Sequence, residues 1–333
     1  MHQKRTQHEE TDLIPHRILR ALTGLALLAA ATLASAQDFP NRALRVIVPF
    51  PAGGSAELVA RAWAQRSQLG QPIVIENLPG ASGAIGYSRV AKAAPDGYTL
   101  TIGLTGTFAV APNLNPKIGY DPLKEFTPIA MIARLPIVLV TGPNTPYKGV
   151  AELIAAARAN PGKLNYASVS PGTTSHILGE MLKAATGTNI VHIPYKGGAP
   201  ANVAIIGGEV QLLFSSLPDA LTFISSGRMR ALGMAAARRA AALPDVPTLT
   251  ELGLPFDTPI WYGMFAPAGI PAAIGLRLAS DMVRVNGLDE MRQYLASLGA
   301  EPSNLNPDGF RELVTNDHAR YGKVIRDANI KVD

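Results

Sequence analysis

Two stretches bring glycines and small hydroxyl residues to the expected start of a helix, and the chemistry of that arrangement is anion binding. In the first, Val46-Ile47-Val48-Pro49-Phe50 leads through Pro51-Ala52-Gly53-Gly54 into Ser55-Ala56-Glu57-Leu58. A buried strand there runs into a tight turn that opens a helix. Ser55 is a natural N-cap, and the two glycines let the backbone approach a bound group closely. The first helical turn leaves backbone N–H groups unpaired at the positive end of the macrodipole, so a small anion suits it. The alternative is a capped strand–helix turn without a guest. The second stretch comes about 120 residues later, where Asn165-Tyr166-Ala167-Ser168 passes through Ser170-Pro171-Gly172-Thr173-Thr174-Ser175 into a helix beginning near His176. Two such helix starts suggest two lobes gripping one ligand, outside the carboxyl ends of strands.

Covalent chemistry finds less support. The histidines beyond the N-terminal segment are His176, His192 and His318, at spacings that match no metal-ligand pattern. Gly54-Ser55 and Ser82-Gly83 do not complete a G-x-S-x-G elbow, and no Gly-Lys-Ser/Thr phosphate loop is present. Adjacent helical residues point about 100° apart, so Ser175 and His176 do not face each other. Glu57 needs no catalytic role, because an acid in the first turn complements the dipole. No catalytic residue, metal or cofactor is expected. An exported hydrolase using Ser55 or Ser175 with His176 or His192 stands as the rival, and needs a histidine within reach of a hydroxyl in a cleft.

The elements that position these turns alternate. Strand-like runs fall at 44–48, 73–76, 98–102, 137–141, 164–167, 190–193, 210–214 and 261–265, with helical stretches between them. Val150, Leu153, Ile154 and Ala157 share one helix face that Asn160-Pro161-Gly162 ends. Pro271 opens another helix that Gly287 closes, and the last runs from Pro307 to about Ala328. The pattern is that of an α/β protein with parallel sheets covered on both faces. Further polar turns at strand ends contain Ser82, Thr105, Thr107, Tyr195 and Ser215.

The N-terminus reads as an address. Arg17 and Arg20 precede an apolar run over 21–33 and then Ala34-Ser35-Ala36, a secretory signal with cleavage expected after Ala36. Residues 1–36 are thus set aside, and a periplasmic location is expected. The chain has no cysteine, so it has no disulfide or thiolate chemistry. Removing four of the 30 basic and three of the 25 acidic residues leaves a net charge of +4. The basic residues are scattered, which argues against nucleic-acid binding.

Several motifs together resemble one family. They are VIVPFPAGGSAELVA over 46–60, VIENLPGASGAIG over 74–86, AAPDGYTL over 93–100, Thr105-Gly106-Thr107 and NPGKLNYA over 160–167. Gly172 to His176, HIPYKGGAP over 192–200, LPDVPTLTELG over 243–253 and FAPAGIP over 265–271 continue the series in order. The chain is similar over almost its whole mature length to the Bug-type solute receptors of tripartite tricarboxylate transporters. The resemblance implies a periplasmic binding protein of two α/β lobes, each a mainly parallel sheet flanked by helices, closing like a flytrap. One lobe would comprise 37–104 plus 230–333, and the other 105–229. It implies a small organic carboxylate as ligand, membrane permease subunits as partners and a monomer. A receptor presenting its ligand to a sensor kinase would share the site.

Carried over, the resemblance places one carboxylate on Ala52, Gly53 and Gly54 from one lobe and Ser170, Gly172, Thr173 and Thr174 from the other. Ser55, Ser82, Thr105, Thr107, Tyr195 and Ser215 complete the expected site. Where the family commonly shows Asp-Asn, this chain has Ser215-Ser216, so only neutral hydroxyls are expected at the far end. A di- or aromatic carboxylate is therefore favoured over an amino acid.

Overall fold

Runs of apolar residues with few polar interruptions become the central strands, because both of their faces are covered. In the computed structural model, which describes residues 39–303, 305–327 and 330 apart from 255, 257 and 259, every residue of Ile137–Thr141 and Ile260–Pro267 is buried. The expected signal segment lies outside the described residues. All of the strands and helices belong to the compact unit that begins at Arg42.

The strands in chain order are β1 (Leu44–Val48), β2 (Ile73–Asn77), β3 (Thr99–Leu104), β4 (Phe126–Leu135), β5 (Ile137–Thr141) and β6 (Asn165–Ser168). Then come β7 (Val191–Pro194), β8 (Leu212–Ser216), β9 (Arg230–Ala235), β10 (Ile260–Pro267) and β11 (Glu301–Pro302). They form two sheets, one ordered β11-β4-β10-β3-β1-β2 and the other β7-β6-β8-β5-β9. Both carry helices, which gives the two-lobed α/β architecture. The sheets are mixed rather than mainly parallel. β1 pairs parallel with β2 and β3, and β6 with β7 and β8. The strands that enter or leave a lobe, β4, β5, β9 and β10, pair antiparallel.

Sheet membership also differs from the expected boundaries. β4, at 126–135, belongs to the first sheet, and β9, at 230–235, to the second. The chain crosses at Pro136, the single residue between β4 and β5, and returns within 236–259. β4 is not among the expected strands, because Pro128 and the alanines of FTPIAMIARL are poor strand formers. β9, with Ala and Gly in RALGMA, is missing from them for the same reason.

The first lobe is cemented by aromatic rings that also carry the site. Phe108 stacks on Phe265 with centroids 4.2 Å apart and meets Tyr87 and Phe126 edge-on at 5.2 Å. Such pairs add about 0.5–1.5 kcal/mol each beyond the area they bury. Phe108 lies in a π-helical turn, Gly106–Val110, directly after β3. The rings therefore fix the backbone that leaves β3, where Gly106 and Thr107 line the cavity described below.

Candidate functional site

The first helix, α1 (Ser55–Arg66), starts where expected, but its cap is Gly54, with no side-chain cap bond. Ser55 is the first helical residue, which corrects its reading as the N-cap. Its groups are spent across the cleft. The Ser55 N–H donates to Asp219 Oδ1 at 2.9 Å, and Ser55 Oγ to Asp219 Oδ2 at 3.0 Å. With its proton so used, Ser55 Oγ accepts from the Tyr262 hydroxyl at 2.7 Å. Ser216 Oγ adds a third donor to the same carboxylate at 2.6 Å. Asp219 lies on α7 (Leu217–Ser225), which follows β8, so its bonds to Ser55 join the two lobes.

Burial pushes the Asp219 carboxyl above its ordinary value, and the bonds from Ser216 and Ser55 offset only part of that. Burial, with Asp219 beside it, raises the Tyr262 hydroxyl too, which keeps it protonated and able to donate. A second carboxylate serves the same turn. Glu57 Oε2 accepts the Gly53 N–H at 2.7 Å, and Glu57 Oε1 accepts from Arg61. Burial lifts Glu57, but the Gly53 and Arg61 bonds outweigh it and hold the carboxyl below its ordinary value. Gly53 sits at φ +85°, where a side chain would be strained.

The second turn is built from neutral groups. Thr173 caps α5 (Thr174–Thr186) in an extended conformation, and its Oγ1 donates to the Ser170 carbonyl at 2.6 Å. Ser175 Oγ accepts the Val169 N–H at 3.0 Å. The Gly172 N–H donates to His176 Nδ1 at 3.2 Å, so that nitrogen carries no proton. The His176 ring stacks on His192 at 4.2 Å, and His192 on Tyr166 at 4.8 Å. Gly106 comes in underneath. A Cβ there would lie 3.0 Å from the Thr174 nitrogen, so any side chain would press on the start of α5.

Between these helix starts lies a cavity of about 100 Å³, room for a short organic molecule. Leu104, Ile137, Phe214 and Ile260 give its wall an apolar part. Ser55, Ser216, Asp219 and Tyr262 line it on one side, and Thr107, Thr173, Thr174 and Ser175 also line it. Ala52 and Gly54 border it too, together with Gly197 and Gly198 at the start of α6 (Gly198–Gly207). Among the described residues, the wall carries no Lys, Arg or His. Among the same residues, no cluster of His, Asp and Glu could hold a metal ion.

Other expected residues stand elsewhere. Ser82, at φ +55°, shares a hydrogen bond of 2.6 Å with Ser170, and both line a wider opening of about 380 Å³ beside the cavity. Thr105 accepts the Trp261 N–H and is absent from the cavity wall, whereas Thr107 lines it, fixed by the Tyr87 hydroxyl at 2.7 Å. Tyr195 donates to Glu209, and Ser215 to the Ser216 carbonyl. Neither lines the cavity, nor do Gly53 and Gly172. The expectation of only neutral hydroxyls beyond β8 is corrected by Asp219. Ser216-Leu217-Pro218-Asp219 has the spacing of a capping box, the one signal that could have flagged the acid.

The rival hydrolase needs Ser55 or Ser175 beside a histidine. Ser55 Oγ is held by Asp219 and Tyr262, and Ser175 Oγ by Val169 and Thr173. His192 Nε2 does meet Ser168 Oγ at 2.7 Å, but Ser168 is fully buried in β6 and off the cavity wall.

The sequence model of the family described as "Tripartite tricarboxylate transporter family receptor" matches residues 59–330. Protein BugT of Bordetella pertussis is 36% identical over 320 residues, 94% of this chain and 98% of its own length. The structure of Rpa4515 from R. palustris with adipate has a TM-score of 0.85 and 36% identity, covering 88% of this chain and 99% of that one. MatC from Rhodopseudomonas palustris with bound malate has a TM-score of 0.82 and 34% identity, covering 86% and 100%. With sequence and fold in agreement over most of its length, the chain belongs to the receptor family of the tripartite tricarboxylate transporters.

Proposed function

We propose that the protein captures a small organic carboxylate between its lobes in the periplasm and hands it to membrane permease subunits of a tripartite tricarboxylate transporter. The observation that carries this reading is the cavity between the lobes, bordered by the start of α5 and by Gly106. There Thr173, Thr174 and Ser175 sit where helical N–H groups lack intrahelical partners. Charge-assisted hydrogen bonds are about twice as strong as neutral ones, so a carboxylate needs no lysine or arginine there. The apolar walls exclude water and strengthen those bonds. The adipate and malate of the two related structures are small carboxylates of this class.

In this reading the carboxylate rests on the α5 side rather than equally on both turns, because Ser55 and Gly53 already donate to acids of the chain itself. A panel of short carboxylates in a thermal-shift assay tests it. A true ligand at a hundred times its Kd stabilises the protein by about 2.7 kcal/mol. If none of the panel raises the melting temperature, the reading fails.

A further inference from the structure

The cavity wall carries two unlike sets of polar groups, neutral donors at Thr173, Thr174 and Ser175 and the carboxylate of Asp219. Leu104, Ile137, Phe214 and Ile260 line the space without polar side-chain atoms. Asp219 is held by three neutral donors, the Ser55 N–H and the hydroxyls of Ser55 and Ser216. A carboxylate accepts about four hydrogen bonds, so one position on Oδ1 is still open. Among the described residues, the wall supplies no cation for it.

We propose that Asp219 selects the far end of the ligand, so that the receptor takes a short carboxylic acid bearing a protonated amine in preference to the dicarboxylate of the same length. This rests on the carboxylate reading above and adds what the other end of the molecule must be. A dicarboxylate would bring a second anion beside Asp219 inside a water-poor cleft with no countercharge. An ammonium fills the open acceptor and neutralises the acid, while the apolar spacer meets the apolar part of the wall. The two serines hold the carboxylate in place at the cavity wall, and Tyr262 holds Ser55.

The experiment uses the mature protein and isothermal titration with matched pairs: succinate and beta-alanine, glutarate and gamma-aminobutyrate, adipate and delta-aminovalerate. In the wild type the aminated member of the best-fitting pair binds more tightly, by about tenfold or more as expected when a like-charge contact is replaced by an opposite one. In Asp219→Asn, checked for folding by circular dichroism, that preference disappears or reverses. A wild type that favours the dicarboxylates overturns the proposal without any variant, and leaves the carboxylate reading standing. A preference for amines that survives Asp219→Asn also overturns it. If no member of any pair binds, both readings fall together.

Discussion

The two strand–helix turns are alike in plan, each a Pro/Gly turn leading to a serine at a helix start, yet they meet the cleft with opposite electrostatics. At α1 two carboxylates of the chain itself take the N–H groups of Gly53 and Ser55. At α5 the turn is shaped by a neutral imidazole nitrogen and by serine and threonine hydroxyls. A helix start rich in glycine and serine thus defines a site for negative charge without defining whose charge fills it. The residue that decides here, Asp219, is 164 positions from Ser55.

The largest test removes the support of the neutral turn. Phe108→Ala empties a buried ring position stacked on Phe265, and about 3–5 kcal/mol of stability should go in urea denaturation. A loss below about 1 kcal/mol would mean that the aromatic cluster does not hold the turn after β3. Gly106→Val comes next. Its side chain would meet the Thr174 backbone, so stability should fall by about 1–3 kcal/mol, and calorimetric binding of any carboxylate ligand should vanish. Undiminished binding would move the ligand away from α5.

A third pair compares the two turns directly. Ser55→Ala strips a donor from Asp219 and leaves the Tyr262 hydroxyl without its acceptor, at a cost of about 1–3 kcal/mol. Thr173→Ala at the neutral turn should cost about 1 kcal/mol. The reverse order, read from unfolding midpoints, would break the comparison.

The smallest effect is the dependence on pH, and its sign differs between the two acids. Asp219 is raised in the folded protein, so its ionisation costs stability. The cost enters as pH climbs from the ordinary value of 3.8 through the raised one. Wild type should therefore lose ground against Asp219→Asn over that window and run parallel to it above. Glu57 is depressed, so its contribution is fully present above its ordinary value of 4.5 and is lost as pH falls through the lowered one. Glu57→Gln should show its deficit only above that range, by about 1 kcal/mol or less. Urea midpoints for the three proteins between acidic and neutral pH decide both signs.

Much of the frame is readable from local pattern. β1 and β5 are apolar runs bounded by turns, and α4 (Val150–Ala159) buries Val150, Leu153 and Ala157 on one face. The first turn is legible because it needs glycine at a left-handed φ and small residues beside it. β4 and β9 are hidden, because their pairing partners, not their side chains, hold them extended. Ser55 misleads for a related reason. A serine before a helical pattern is the usual cap, but tertiary partners on β10 and α7 claim it. Thr105 and Tyr195 are polar residues at strand ends, and only the fold shows their hydroxyls committed to Trp261 and Glu209.

The passage through Pro136 carries a mechanical implication. β4 and β5 are separated by that one residue, whose ring fixes φ, and its carbonyl accepts the Leu217 N–H. Such a joint has almost no slack. Any change in the angle between β4 and β5 has to pass through the torsions of one residue whose φ is already fixed.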